Sequence, residues 1–171
     1  MGETIIEVVP VNWRKSLFKS ESWSIVITNE RLVFAKWTQE LFNKEAQKRK
    51  EEAKEEGGGK LKQFFSQMSA SFTYWNRYYS MTPEEILQEH PENFSLYPKD
   101  VANISLKRGK GKFKTVGINI KANVKIGTGG DIDDLESPHE LVITTNGEKK
   151  VFQFNKNFEK VKQALSGLFK L

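Results

Sequence analysis

Between Trp23 and Ala35 the side chains alternate in character: Trp23, Ile25 and Ile27 share one parity, and Ser24, Val26 and Thr28 the other. After Asn29 and Glu30 the alternation resumes, with Leu32 and Phe34 opposite Val33 and Ala35. A period of two over this length is strand patterning and predicts an antiparallel hairpin turning at T-N-E-R. The turn has no glycine, but Asn29 tolerates positive φ and can bond its own backbone. Upstream, ETIIEVV at Glu3 to Val9 reads as a first strand, and residues 10–19, which open on a proline, read as a long first loop.

At Trp37 the pattern changes. WTQELFNKEAQKRKEEAKEE holds strong helix formers and no Gly or Pro, with Trp37, Leu41, Phe42, Ala46 and Ala53 forming a stripe that thins toward its end. Three glycines at 57–59 stop this helix. In the following Lys60 to Tyr79 stretch, Leu61, Phe64, Phe65, Met68, Phe72, Trp75 and Tyr79 recur every three or four residues, predicting a second helix and an antiparallel helical hairpin. A short third helix is announced by Thr82 as N-cap, Pro83 at the first helical position and Glu85 three residues past the cap, and it ends before His90 and Pro91. Beyond Pro98, ANISLKRG, KFKTVGINIKANVKI, HELVITTNG and KKVFQFN are strand candidates, and TTNGEK carries an Asn-Gly hairpin signal. Phe158, Val161, Leu165, Leu168 and Phe169 share one face of a closing amphipathic helix from Lys156, with Asn155 as its expected cap.

Bulk properties bound this picture. A chain of 171 residues suffices for one substantial core and is short for two domains. No apolar run approaches the roughly 20 residues that span a bilayer, and the first residues lack the layout of a signal peptide, so a place in the cytoplasm is expected. With no cysteine, disulfides, thiolate nucleophiles and Cys-based zinc sites are excluded. The formal net charge of +5 favours acidic partners without specifying one.

Several phrases add to the order of elements. GETII at 2–6 followed by IVITNERLVFAK at 25–36 resembles the bacterial pleckstrin-homology and GRAM-like families, in which an early Gly-Glu and a Thr-Asn-x-Arg-Leu hairpin introduce a barrel. YPKDVANISLKRG at 97–109 is similar to the family's return into its fifth strand, and KVFQFNKNFEKVKQAL at 150–165 to its last strand and closing helix. The resemblance implies a mainly β fold with α: a seven-stranded, bent antiparallel barrel capped by a C-terminal helix. Residues 1–171 would form one such domain, with a helical hairpin inserted after the third strand at about 37–89. It also implies a non-catalytic interaction or assembly module; the alternative is a peripheral membrane module binding anionic lipid headgroups, since eukaryotic relatives often hold phosphoinositide headgroups with bases of the loop between strands one and two. The matching bases here are Arg14, Lys15 and Lys19, beside Trp13, Leu17 and Phe18. The plainer expectation is that these three apolar residues pack under the loop or against the inserted helices and the bases form a solvated rim.

Other residues compete for attention. Lys107, Arg108, Lys110 and Lys112 open a basic stretch able to meet an anion or a phosphate backbone, yet Phe113 is its sole aromatic, which makes nucleic acid an unlikely partner. The expected alternative is that the lysines are the wet side of strands whose inner side is Phe113, Val116, Ile118 and Ile120. Asp131, Asp133, Asp134 and Glu136 lack the glycine and terminal glutamate of a calcium loop, so no metal is expected. His90 and His139 have no neighbouring triad partners, and no catalytic residue or cofactor is expected. The aromatic stripe of Phe64, Phe65, Phe72, Trp75, Tyr78 and Tyr79 exceeds what a polar partner helix can cover, and predicts a surface for a protein partner or self-association unless it lies on the sheet.

Overall fold

The computed structural model describes residues 2–55, 59, 74–110 and 137–171. Their strands are β1 (Ile5–Arg14), β2 (Ser20–Thr28), β3 (Leu32–Lys36), β4 (Phe94–Leu96), β5 (Asn103–Lys107), β6 (His139–Thr145) and β7 (Glu148–Phe154). The helices are α1 (Gln39–Glu55), α2 (Pro83–Gln88) and α3 (Phe158–Ser166), with 3₁₀ turns at Tyr74–Ser80 and Pro98–Asp100. The strands form a seven-stranded sheet in the order β4-β3-β2-β1-β7-β6-β5, every pairing antiparallel. The sheet is not closed: its two ends, β4 and β5, follow one another through the Pro98–Asp100 turn without pairing.

β1 is longer than its sequence predicts and passes through Pro10 to Arg14, which shortens the first loop to residues 15–19. A proline is acceptable there because Pro10 pairs with Ser24 on one side, while β7 reaches β1 only at Asn12, Trp13 and Arg14. The missing N–H therefore falls where β1 is still an edge. β4 is a further strand beyond those predicted, and the strand expected over 112–126 lies outside the described residues.

The T-N-E-R turn works differently from expectation. Asn29 does not take positive φ, which among described non-glycine residues belongs to Asn146. Instead its Oδ1 accepts from Thr4 N at 2.7 Å, and buried Thr28 Oγ1 accepts from the Glu30 and Arg31 amides at 3.1 and 2.9 Å. The Arg31 side chain turns inward and donates from Nε and Nη2 to the two Glu3 oxygens at 2.9 and 2.8 Å, and also from Nη2 to Glu84. The two phrases GETII and TNER are thus joined by one bidentate ion pair, which α2 of the insertion completes.

Alternation sorts the strands onto two cores. On the inner face Val9, Val11, Trp13, Trp23, Ile25, Ile27, Leu32 and Phe34 pack with Leu141, Ile143, Phe152 and Phe154. α3 covers them with Phe158, Val161, Ala164 and Leu165. Its cap is Asn157, whose side chain accepts from Lys160 N, so the helix starts two residues later than the expected Asn155 cap allows. On the outer face Val8, Val26, Val33 and Ala35 meet Tyr74, Tyr78 and Ile86, all from between β3 and β4. The predicted capping box is present, with Thr82 and Glu85 bonded reciprocally. The inserted chain is therefore one wall of the fold. Asn93 ties it to the sheet, accepting from Lys36 N at 2.7 Å and donating to Ile86 O at 2.8 Å.

Candidate functional site

The inward rows of β1, β2, β3 and β7 end in a charge at the β1–β2 loop. Along β1 the row Val9, Val11, Trp13 continues to Lys15; along β2 Ile27, Ile25, Trp23 continues to Glu21; β3 ends in Lys36; and β7 runs from Phe154 and Phe152 back to Lys150 and Glu148. Period two alone carries each charge into register with the apolar residues behind it. Where the core meets water, its last layer is Trp13 edge-on to Trp23 at 5.2 Å between centroids, backed by Phe94 and Phe152 at 5.8 and 5.2 Å from Trp13.

Three ammonium groups cover these two indoles. Lys15 Nζ stands 3.0 Å from the Trp13 centroid and 5.7 Å from that of Trp23. Lys150 Nζ is 5.2 Å from Trp13, and Lys36 Nζ 5.9 Å from Trp23. Such placement draws on the negative face of the ring. Burial, with the neighbouring Lys150 and Lys36 charges, pushes the Lys15 amine below its ordinary value against the pull of Glu21. Its bond to Glu92 holds Lys36 above its ordinary value despite some burial, with Glu21 adding to the effect.

Glu21 stands among these cations. Its Oε2 accepts from Trp23 Nε1 at 3.2 Å and lies 4.0 Å from Lys15 Nζ and 3.9 Å from Lys36 Nζ, while its Oε1 is 3.4 Å from Lys19 Nζ. Burial raises the Glu21 carboxyl, but Trp23, Lys36, Lys19 and Lys15 together outweigh it and hold the group below the usual carboxylate range.

Beyond this polar rim the loop projects. The Lys15 and Ser16 amides both donate to Lys19 O, at 2.9 and 3.1 Å, closing a tight turn. Leu17 and Phe18 at its tip are 84% and 99% exposed. The expectation that they pack beneath the loop is corrected here: Trp13 does pack, but the tight closure faces the two following side chains outward. Arg14 is exposed and Lys19 largely so.

The second basic group lies elsewhere. Lys107 is level with Glu140 of β6, Gln153 of β7 and Asn12 of β1, and the chain beyond it runs away from the β1–β2 loop. Arg108 there pairs with Glu159 of α3 and lies 4.4 Å from the Phe158 ring. The Lys110 carbonyl accepts from Ser137 N, and Lys112 is outside the described residues. Lys107, Arg108 and Lys110 therefore do not converge with the first loop, whereas Lys36 and Lys150, which no local pattern singles out, join the loop through strand register.

Of the aromatic stripe, Phe64, Phe65 and Phe72 lie outside the described residues. Tyr78 is fully buried on the outer sheet face, with its hydroxyl donating to Glu89 at 3.0 Å, and it belongs to a core rather than to a surface. Trp75 is half-buried, 4.8 Å from Lys156 Nζ. Tyr79 is partly exposed and donates to Glu7, whose carboxylate also takes Lys156 Nζ and the Val8 amide. His139 is buried between the Phe154 and Phe158 rings, each 5.1 Å away, and its Nδ1 accepts from Gly109 N at 2.9 Å. That bond gives His139 a packing role, remote from the loop. No helix among the described residues is long and apolar enough to cross a membrane. Compared with protein-family models, curated proteins and solved structures, the chain matches none.

Proposed function

We propose that this chain is a pleckstrin-homology-like, non-catalytic module that docks peripherally on an anionic membrane through its β1–β2 loop. The carrying observation is the pair Leu17 and Phe18, 84% and 99% exposed, at the tip of a short turn whose base holds Arg14, Lys15 and Lys19. Apolar side chains standing free of the fold, above a ring of cations, fit insertion into the headgroup boundary while the bases meet phosphates. Lys36, paired with Glu92, and Lys150, paired with Glu148, line the rim beneath them. The strand order and the helix on the inner face are in keeping with the resemblance, and the long insertion leaves from Lys36, at the same end of the sheet.

Sedimentation with phosphatidylcholine vesicles, with and without phosphatidylglycerol, tests the reading. The chain is expected to pellet with the anionic vesicles only, and less as salt rises. Replacing Leu17 and Phe18 together by Ser is expected to weaken binding more than tenfold, since each side chain contributes up to roughly 1.5–3 kcal/mol when fully buried. Charge reversal of Arg14, Lys15 and Lys19 is expected to abolish pelleting. Absence of pelleting in the wild type, or pelleting indifferent to both sets of changes, overturns the proposal.

A further inference from the structure

We infer that Ser16 is a modification site for a basophilic serine kinase, and that its phosphorylation releases the loop from the membrane. The second half rests on the docking reading above. Ser16 stands in R-K-S-L-F-K, with Arg14 and Lys15 before it, Leu17 after it and Lys19 three residues on. A kinase whose peptide cleft is lined with carboxylates selects bases on both sides of the acceptor. Fold position then separates Ser16 from the serines that follow it. Ser20, Ser22 and Ser24 lie in β2 and pair with β1, and Ser24 is buried as well. Residues 15–19 belong to no strand and are closed by the two amide bonds to Lys19 O, so presenting them to a cleft breaks two hydrogen bonds and leaves the sheet intact. The Ser16 hydroxyl is exposed, accepts from the Phe18 amide only at 3.4 Å, and donates to nothing among the described residues.

In the transfer, Ser16 Oγ attacks the γ-phosphorus of a nucleoside triphosphate held by the kinase. The bond from that phosphorus to the β–γ bridging oxygen breaks, the nucleoside diphosphate leaves, and the hydroxyl proton passes to the kinase's catalytic carboxylate. The product carries close to two negative charges near neutral pH. They offset the charges of Arg14, which is exposed, and Lys19, whose side chain is 68% exposed. Each basic charge is worth about fivefold in affinity at an anionic surface, so cancelling two weakens docking about 25-fold. The new dianion also stands beside Leu17, and the turn's apolar tip can reach the headgroup boundary only by carrying it toward a surface of its own sign.

The full chain is incubated with a purified basophilic serine kinase and magnesium ATP, its phosphate is mapped by mass spectrometry, and treated and untreated protein are sedimented with phosphatidylglycerol vesicles. Phosphate is expected on Ser16, with docking about 25-fold weaker in the treated wild type and restored by a phosphatase. Treatment of Ser16→Ala is expected to leave its own pelleting unchanged. Two further variants need no kinase: Ser16→Asp, which brings one charge, is expected to dock about fivefold more weakly than the similarly sized, neutral Ser16→Asn. A chain that takes up no phosphate at Ser16, or one phosphorylated there that pellets as before, overturns this inference while leaving docking intact. If the untreated wild type pellets on no anionic vesicle, the docking reading itself fails and the switch with it, whatever the mass spectrum shows.

Discussion

Replacing Arg31 by Met tests the ion pair that joins the first strand, the hairpin and the insertion. The Arg31 side chain is 9% exposed, Glu3 14% and Glu84 64%. Removing one partner of a fully buried pair costs roughly 3–5 kcal/mol, because the other charge is left unpaired. Here Glu84 is solvated and loses little, and Glu3 keeps the Thr28 hydroxyl at 2.7 Å. The expected loss is therefore about 2–3 kcal/mol, which for a chain of this size lowers Tm by roughly 4–12 °C. In a double-mutant cycle with Glu3→Gln the coupling should account for most of that loss. The pH dependence follows from Glu3. Burial raises its carboxyl, but the Arg31 and Thr28 bonds outweigh it and bring it below the ordinary value. Its stabilisation is complete above the unfolded carboxylate range and is lost as pH falls through the depressed folded value. The gap in Tm between wild type and Arg31→Met should accordingly narrow in acid. A variant melting within about 1 °C of wild type at neutral pH, or a gap unchanged across the acid range, would refute the reasoning.

Three further outcomes are expected from thermal or urea unfolding. Phe34→Ala removes a fully buried ring stacked on Phe94 at 4.5 Å and should cost about 3–5 kcal/mol. Tyr79→Phe removes the hydroxyl that donates to Glu7 and accepts from Val8 N at 3.2 Å, and should cost about 1–2 kcal/mol. Burial raises the Glu7 carboxyl, but Lys156, Tyr79 and Val8 bring it below its ordinary value, so this contribution too should fade as pH falls through that depressed value. Gly109→Ala would place a Cβ 2.1 Å from the Ser137 carbonyl oxygen, backbone that cannot swing aside, and should cost about 1–3 kcal/mol while weakening the Gly109–His139 bond.

What is readable from sequence divides by range. The β2–β3 hairpin, the Thr82 capping box, the Asn146-Gly147 turn and the closing helix are set within a few residues, and each is found near its expected place. Pro10 misleads because its tolerance depends on where β7 stops pairing, which no local pattern records. β4 escapes because three residues show no period, and Phe94–Leu96 is a strand only by pairing with β3. The candidate site divides in the same way. Arg14, Lys15 and Lys19 stand together in the chain, so sequence alone groups them, whereas Lys36 and Lys150 reach the two indoles through register across the sheet. One signal was available: both terminate inward apolar rows, and a lysine in phase with Phe34, or with Phe152 and Phe154, marks the mouth of a core.

The two faces of the sheet also differ in when they can be covered during synthesis. β1, β2 and β3 leave the ribosome before the insertion and the later strands, carrying Val8, Val26, Val33 and Ala35 on one side and Val9, Ile25, Leu32 and Phe34 on the other. The first set is sheltered once Tyr74, Tyr78 and Ile86 have emerged. The second must wait for Leu141 to Leu165, which are made after the insertion. The nascent chain thus has an interval in which one side of its sheet is sealed and the other bare, and it is the bare side that a chaperone would have reason to hold.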